Sequence, residues 1–215
     1  MKRLTLMRHA DARWQDAGLS DLERPLNRRG TAAAEAMARR LLELALVPEL
    51  LLVSPARRTQ QTGEIVAGVL SLAPRLVISE EALYLASAPD LLKVVQGTGP
   101  RVTHLLVVAH NPGVSELVQQ LVPEAEASGL ATAALCSIAF ECEQWPEVGV
   151  AVVKDVMRET PPPRVSSRRS RVPTSRSRMP PRSAWSTTWA FPAIRSQASC
   201  RFPASSATPW VRSRR

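Results

Sequence analysis

The sequence predicts an α/β domain built on a mostly parallel sheet, followed by a basic tail with no structural period. Short apolar runs alternate with helix-spaced apolar stripes from Lys2 to Glu159, the pattern of strand-helix-strand units. The run Leu105 to Ala109 is apolar on both faces, as a central strand covered on both sides requires. All 19 acidic residues lie at or before Glu159, so composition changes where the pattern stops. A chain of 215 residues, 45% of them hydrophobic, can bury one core and carry an appendage.

The first strand covers Leu4 to Met7, too short for a helix. It ends in Arg8-His9, where a strand emerges at the carboxyl end of a sheet and open α/β sheets bind ligands. A polar loop runs from Asp11 to Glu23. Arg24-Pro25-Leu26-Asn27-Arg28-Arg29-Gly30 then reads as a helix entrance with Asn27 as N-cap. Ala34, Met37, Leu41 and Leu44 stripe that helix, Glu35 and Arg39 can pair on its exposed side, and it is expected to end near Pro48. Leu50 to Val53 form a second strand, and Ser54-Pro55 reads as cap plus first-turn proline for a second helix. That helix carries Arg57 and Arg58 in its first turn, with Thr62, Ile65, Val66 and Val69 as its stripe. Leu76 to Ile78 predict a third strand and Pro89 to Gln96 a third helix. The central strand ends in His110, Asn111-Pro112 repeats the cap-plus-proline device, and Val114, Leu117, Val118 and Leu121 stripe a fourth helix. Residues 133 to 141 and 148 to 153 predict two closing strands.

The domain spans 1–159 and holds 16 of the 28 basic residues against all 19 acids, a net charge of −3; the other 12 basic residues give residues 160–215 a charge of +12. The tail holds nine of the 18 prolines and no leucine, so burial cannot offset its ordering entropy and disorder is expected. Trp185, Trp189 and Trp210 suggest a sticky arm, and translation in a shifted frame would give the same composition. Cys136 and Cys142 sit six apart on one predicted strand, roughly 20 Å at about 3.3 Å per residue, beyond disulfide reach. With Cys200 they make no disulfide framework. No apolar run approaches the roughly 20 residues of a membrane span and no leader opens the chain, so a reducing cytoplasm is the expected location.

Arg8-His9, the Ser54 to Arg58 turn and His110-Asn111 all fall at carboxyl ends of strands. Two helix amino termini point at the same rim and favour an anion, and arginine forks suit phosphoryl oxygens. An imidazole inside a ring of cations stays neutral and can attack phosphorus, so His9 is the candidate nucleophile. His110 is placed to hydrogen-bond a phosphoryl oxygen during transfer. Arg57 and Arg58 are rivals on this evidence. Asn111, Arg13 and Arg24 are candidate substrate-binding residues, with Asp21 or Glu23 as an alternative partner for Arg24. His104, at the far end of the central strand, reads as structural, and Glu80 and Glu81 as solvated loop charges. No cysteine pair or histidine-carboxylate spacing suits a metal, so metal-free and cofactor-free chemistry is expected.

These motifs resemble the histidine phosphatase superfamily, also called phosphoglycerate mutase-like, and within it the phosphohistidine phosphatase SixA branch. The resemblance rests on Arg8-His9, Arg24-Pro25-Leu26-Asn27 with Gly30, Ser54-Pro55-Ala56-Arg57-Arg58-Thr59-Gln60-Gln61-Thr62, and Val107-Val108-Ala109-His110-Asn111-Pro112. It implies a three-layer sandwich, a mostly parallel central sheet flanked by helices. The family block keeps arginine four and threonine eight after its serine, which selects Arg58 and Thr62. By the same resemblance His9 is the phosphorylated nucleophile, Arg8 and Arg58 are phosphate clamps, and His110 is the second pocket histidine. Ala10 stands where the superfamily commonly has glycine. Glu80 and Glu81 lie in the region where the large mutase-type members carry a glutamate acid, which SixA-like members generally lack.

The leading expectation is a phosphohistidine phosphatase working through a covalent intermediate on His9, with a phosphorylated signalling or phosphotransfer protein as substrate. A small-molecule phosphatase or mutase would use the same pocket. The +12 tail raises a third reading, a nucleic-acid-associated protein whose weak binding would fall with salt.

Overall fold

In the computed structural model, residues 1–13, 18–124 and 129–163 are described, and the apolar run ending at Ala109 lies in the middle of one six-stranded sheet. The chain divides into two units, residues 1–165 and 166–215, and the described residues belong to the first. The strands are β1 (Lys2–Arg8), β2 (Leu50–Val53), β3 (Val77–Ser79), β4 (His104–Ala109), β5 (Leu135–Phe140) and β6 (Val153–Glu159). The helices are α1 (Arg28–Glu43), α2 (Arg57–Val69), α3 (Ala88–Gln96) and α4 (Gly113–Leu121). The sheet order is β3-β2-β4-β1-β5-β6. The first four strands run parallel, and β5 and β6 add antiparallel at one edge. Everything from Arg164 onward, including the expected disorder and the basic run behind a nucleic-acid role, lies outside the described residues.

Alternation along β4 divides the core in two. Leu105, Val107 and Ala109 face one side with Leu4 and Leu6 and pack under α3 and α4, through Leu91, Val95, Val114, Leu117 and Val118. Leu106 and Val108 face the other side with Met7, Leu51 and Val53, under Ala34, Met37 and Leu41 of α1 and Val66 of α2. Three layers follow directly from period 2 in the strands and period 3.6 in the helices.

Several local expectations are met. Asn27 caps α1, its side-chain oxygen accepting from Gly30 N at 2.8 Å, and Arg39 pairs with Glu35 at 3.3 Å. Gly30 is required by contact, since a Cβ there would meet Asp11 O at 2.0 Å. Helix α1 stops at Glu43, before the expected Pro48, because Ala45 takes a left-handed φ of 55° and Leu46 N returns to Leu41 O at 2.8 Å. That closure buries Leu46 against the helix it ends.

Two predicted caps are corrected. Ala56, not Ser54, precedes α2, and Pro112, not Asn111, precedes α4. Ser54 still continues the β2 ladder, its N–H donating to Val108 O at 3.1 Å, so its hydroxyl is free for another partner. Asn111 accepts from the Ser115 hydroxyl at 2.9 Å and donates to Leu130 O at 3.1 Å.

The last strand is also corrected. Residues 148–152 form no strand: Trp145–Glu147 make a 3₁₀ turn, Gly149 takes a φ of 112°, and β6 begins only at Val153. An edge strand is half solvated, so Lys154, Asp155, Arg158 and Glu159 are tolerated there and mask the apolar period. Val148 carries the apolar signal into the core instead, while Val150 is 90% exposed.

His104 is structural, as expected. It is buried at the start of β4, where its Nε2 lies 2.9 Å from the Thr5 hydroxyl and its Nδ1 3.2 Å from Val47 O. Burial first, and the Arg3 charge second, push its pKa down to about 4. Between its ordinary value near 6.5 and about 4 the unfolded chain binds a proton that the fold excludes, so stability falls as pH falls through that window. About 2 kcal/mol should be lost from His104 between pH 6.5 and 5, at roughly 1.36 kcal/mol per unit. His9 and His110 act in the same direction over this window, so in urea unfolding at pH 7.5 and 5 His104→Gln, which cannot titrate, should reduce the pH dependence by about 2 kcal/mol without abolishing it; an unchanged dependence would contradict the buried neutral imidazole.

Candidate active site

Strands β2, β4 and β1 are neighbours, and each delivers one group to the same rim. In the pairing of β1 with β4, Arg8 lies opposite Ala109, so His9 and His110 follow side by side. Their ring centroids are 5.2 Å apart at 61°, close to the roughly 4.8 Å between adjacent strands. Ser54 leaves β2 one step earlier and reaches His110 Nε2 with its hydroxyl at 2.7 Å.

His9 has a defined tautomer. Its Nδ1 lies 2.8 Å from Ala10 O, and since a carbonyl only accepts, Nδ1 carries the proton and Nε2 keeps the lone pair. Burial is the main cause that lowers the His9 pKa to about 4; the Ala10 hydrogen bond opposes it, and Arg58, Arg8 and Arg24 add to the lowering. The expected neutrality is therefore owed first to desolvation and only second to the ring of cations. Ala10 is buried without a left-handed backbone, which is why alanine is accommodated there.

Thr62 locks this loop to helix α2. Its hydroxyl donates to Arg58 O at 2.7 Å and accepts from Ala10 N at 3.1 Å, so one side chain sets the distance between His9 and Arg58. Gln61 adds a second tie, accepting from Leu26 N at 2.8 Å.

Arg58 is the buried arginine of its turn, with 4% of its side chain exposed, whereas Arg57 faces solvent. Its Nη2 lies 3.3 Å from His110 Nδ1 and 2.8 Å from Asp21 Oδ2, and its Nη1 donates to Asp21 O at 2.6 Å. Because arginine only donates, His110 accepts at Nδ1 and carries its proton at Nε2, toward Ser54. Burial, then the charges of His9 and Arg58, bring the His110 pKa to about 3, with Asp21 opposing. Arg8 donates from Nη1 to Leu130 O at 3.0 Å, and its buried Nε has no partner among the described residues.

The remaining candidates are placed less centrally. Arg24 reaches Asp21 Oδ1 at 2.8 Å, the alternative the sequence left open, and its charge still reaches His9. Arg13 is exposed, and its carbonyl accepts from Arg24 Nε at 3.1 Å. Asn111 spends both amide atoms on Leu130 and Ser115 and so braces the loop that also meets Arg8. Glu80 caps a 3₁₀ turn by accepting from Ala82 N at 3.1 Å, and Glu81 is exposed. Sequence reading missed Ser54 as a partner of His110, saw Asp21 only as a partner for Arg24 and not for Arg58, and missed Tyr84 altogether. Tyr84, the chain's single tyrosine, donates to Asp21 Oδ2 at 3.0 Å and stands edge-on to His110, centroids 5.6 Å apart. Among the described residues no three histidine, cysteine or carboxylate groups gather as a metal site would need.

The family described as the histidine phosphatase superfamily (branch 1) matches residues 4–82. Phosphohistidine phosphatase SixA of Escherichia coli (strain K12) is 31% identical over 137 residues, 63% of this chain and 84% of that protein. An uncharacterized chloroplastic protein of Arabidopsis thaliana is 44% identical over 61 residues, 28% of either chain. Among solved structures, a SixA-type protein from Agrobacterium tumefaciens superimposes with a TM-score of 0.63 at 25% identity, covering 73% of this chain and 97% of the other. The protein histidine phosphatase SixA complexed with tungstate gives 0.61 at 29% identity over 72% and 96%.

Thr62→Val keeps the shape of the side chain but leaves Ala10 N unsatisfied in a buried position. A loss of about 1–3 kcal/mol in unfolding free energy is expected, recovered by Thr62→Ser. Equal stability of the valine variant would show that the hydroxyl bridge contributes nothing.

Proposed function

We propose that this chain, which belongs to the histidine phosphatase superfamily, hydrolyses phosphohistidine through a covalent phosphoryl intermediate on His9. The observation that carries the reading is the His9 ring: neutral, held by Ala10 O at Nδ1, its lone pair left on Nε2, with the His110 ring 5.2 Å away and the charge of Arg58 acting on it. In the first step the Nε2 lone pair forms a bond to phosphorus while the bond to the substrate imidazole breaks, and that imidazole leaves. In the second, water attacks the phosphoryl group, inorganic phosphate departs, and His9 regains its lone pair.

Charge spread over the phosphoryl oxygens is met by Arg8 and Arg58, which assigns to arginines what a metal supplies elsewhere. The buried Arg8 Nε is an oriented donor with no acceptor among the described residues, which suits an oxyanion. The tungstate complex of a SixA relative supports the same guest, since tungstate is a tetrahedral oxyanion like phosphate. His110 can donate to the phosphoryl group only in its other tautomer, with the ring proton passed from Nε2 to Nδ1, Arg58 Nη2 turned from Nδ1 to the phosphoryl oxygens and the Ser54 hydroxyl donating to Nε2. Ser54 is placed at 2.7 Å to do so.

A phosphorylated protein as substrate follows from the likeness to phosphohistidine phosphatases. A reducing cytoplasm suits the free, buried Cys136 and Cys142. Among the described residues no helix is long and apolar enough to cross a membrane. The domain is taken to end at Glu159, where Leu135 pairs with Glu159 and Arg40 binds its carboxylate at 3.0 Å.

His9→Ala should abolish acid-labile labelling by a phosphoryl donor and lower turnover roughly 10³-fold or more, while His104→Gln retains both. Arg58→Ala should impair turnover far more than Arg57→Ala. Labelling that persists without His9 would rule out the covalent step.

Among the described residues no glutamate is placed to protonate a leaving alkoxide, and a general acid contributes about 10²- to 10⁴-fold where one is needed. Phosphohistidine peptide and aryl phosphate should therefore be turned over much faster than alkyl phosphate, with Glu80→Gln and Glu81→Gln nearly silent. Comparable rates on alkyl phosphate with a large loss in either variant would favour a small-molecule phosphatase.

A chain ending at Glu159 should fold and keep its activity. Loss of cooperative unfolding on that truncation would place part of the core in the tail.

A further inference from the structure

Arg58, the buried clamp of the proposed reaction, already has an anion on it. Asp21 takes donors from both of its terminal nitrogens, through its backbone oxygen at 2.6 Å and Oδ2 at 2.8 Å. The same carboxylate receives Tyr84 Oη at 3.0 Å on Oδ2 and Arg24 Nη1 at 2.8 Å on Oδ1. Two arginines converging on one small anion are donors a phosphoryl group would use, and the Tyr84 phenol holds the carboxylate between them. Burial raises the Asp21 pKa, but the Arg58 hydrogen bond and charge, with Tyr84 and Arg24, outweigh it and hold the group below the usual carboxylate range. Asp21 is thus an anion at working pH.

The two partners differ in how firmly they are held. Arg58 is buried on α2, with its carbonyl bound by Thr62. Asp21 sits on an exposed 3₁₀ turn, Asp21–Glu23, with no buried residue, closed locally by Ser20 and Glu23. Such a turn can shift at little cost while the arginine cannot.

We propose that Asp21 is a built-in competitor for the phosphoryl group: its carboxylate takes the donors of Arg58 when phosphate leaves and yields them when substrate arrives. Phosphate and Asp21 share Arg58, so the apparent affinity for phosphate is reduced by the fraction of time the carboxylate holds the site. A phosphatase benefits, because uniform tight binding of its own product does not lower the chemical barrier and slows release. The inference rests on the phosphatase reading above.

Calorimetric titration of the full-length protein with inorganic phosphate, at constant salt, tests it without requiring turnover. Asp21→Asn should bind phosphate roughly tenfold tighter than wild type. Glu23→Gln removes a charge from the same turn without touching Arg58, and should stay within about twofold. Tyr84→Phe, which loosens the carboxylate, should bind about two- to threefold tighter, and decides the matter if Asp21→Asn does not fold. Equal or weaker binding in both the Asp21 and Tyr84 variants would overturn the proposal and make Asp21 a residue that positions Arg58. Equal tightening by Glu23→Gln would overturn it in favour of bulk charge. No phosphate binding by wild type or any variant would sink the phosphatase reading itself.

Discussion

The hydrogen bond from the His9 ring to Ala10 O, together with the burial around it, is the interaction on which the rest of the site depends. In the proposed reaction His9 has to present a lone pair beside the charges of Arg58 and Arg8. Cations alone would repel a proton from it only weakly if water could screen them. Burial removes that screening, and the carbonyl fixes which nitrogen keeps the proton, so Nε2 is available for chemistry. His110 meets the same constraint with different means, accepting from Arg58 and facing a hydroxyl that can serve as donor or acceptor.

Architecture supplies the distances. Parallel neighbours β4 and β1 end in register, so the spacing between strands becomes the spacing between two imidazoles. Helix α2 then has to be brought to this edge with its buried arginine correctly set. Thr62 does this by joining Arg58 O to Ala10 N, and Gly30 lets the start of α1 close onto Asp11 from the other side. The polar framework around His9 is thus made of backbone groups and small side chains whose positions the two cores define.

Charge balance in the pocket is mixed rather than simply cationic. Arg8, Arg24 and Arg58 gather around the two histidines, and Asp21 stands among them with Tyr84. A carboxylate there has an electrostatic cost for phosphate binding and a benefit for its release. The turn that carries it has no buried residue, so a group that must move can be placed there without disturbing the core.

Local pattern determined much of this protein. The alternating apolar runs predicted every helix and all six strands to within a few residues, apart from β6, whose charged residues are permitted by solvent at the sheet edge. The Asn27 cap, Arg8-His9 at a strand end and His110 after the central strand were legible because each depends on residues close in sequence. The choice of Arg58 over Arg57 followed from the family block, and the burial of the one and exposure of the other agree with it. Contacts between distant segments were not legible. Ser54 looked like a helix cap until β2 was paired with β4 and its hydroxyl met His110, 56 residues away. Asp21 and Tyr84 lie 63 residues apart, and nothing local marks them as partners of each other or of Arg58. Asn111 reads as a substrate ligand in the sequence, and only the fold shows its amide also meeting Leu130 and Ser115. Side-chain hydrogen bonds are short and directional, so which polar groups meet is decided only when tertiary packing brings their backbones within reach.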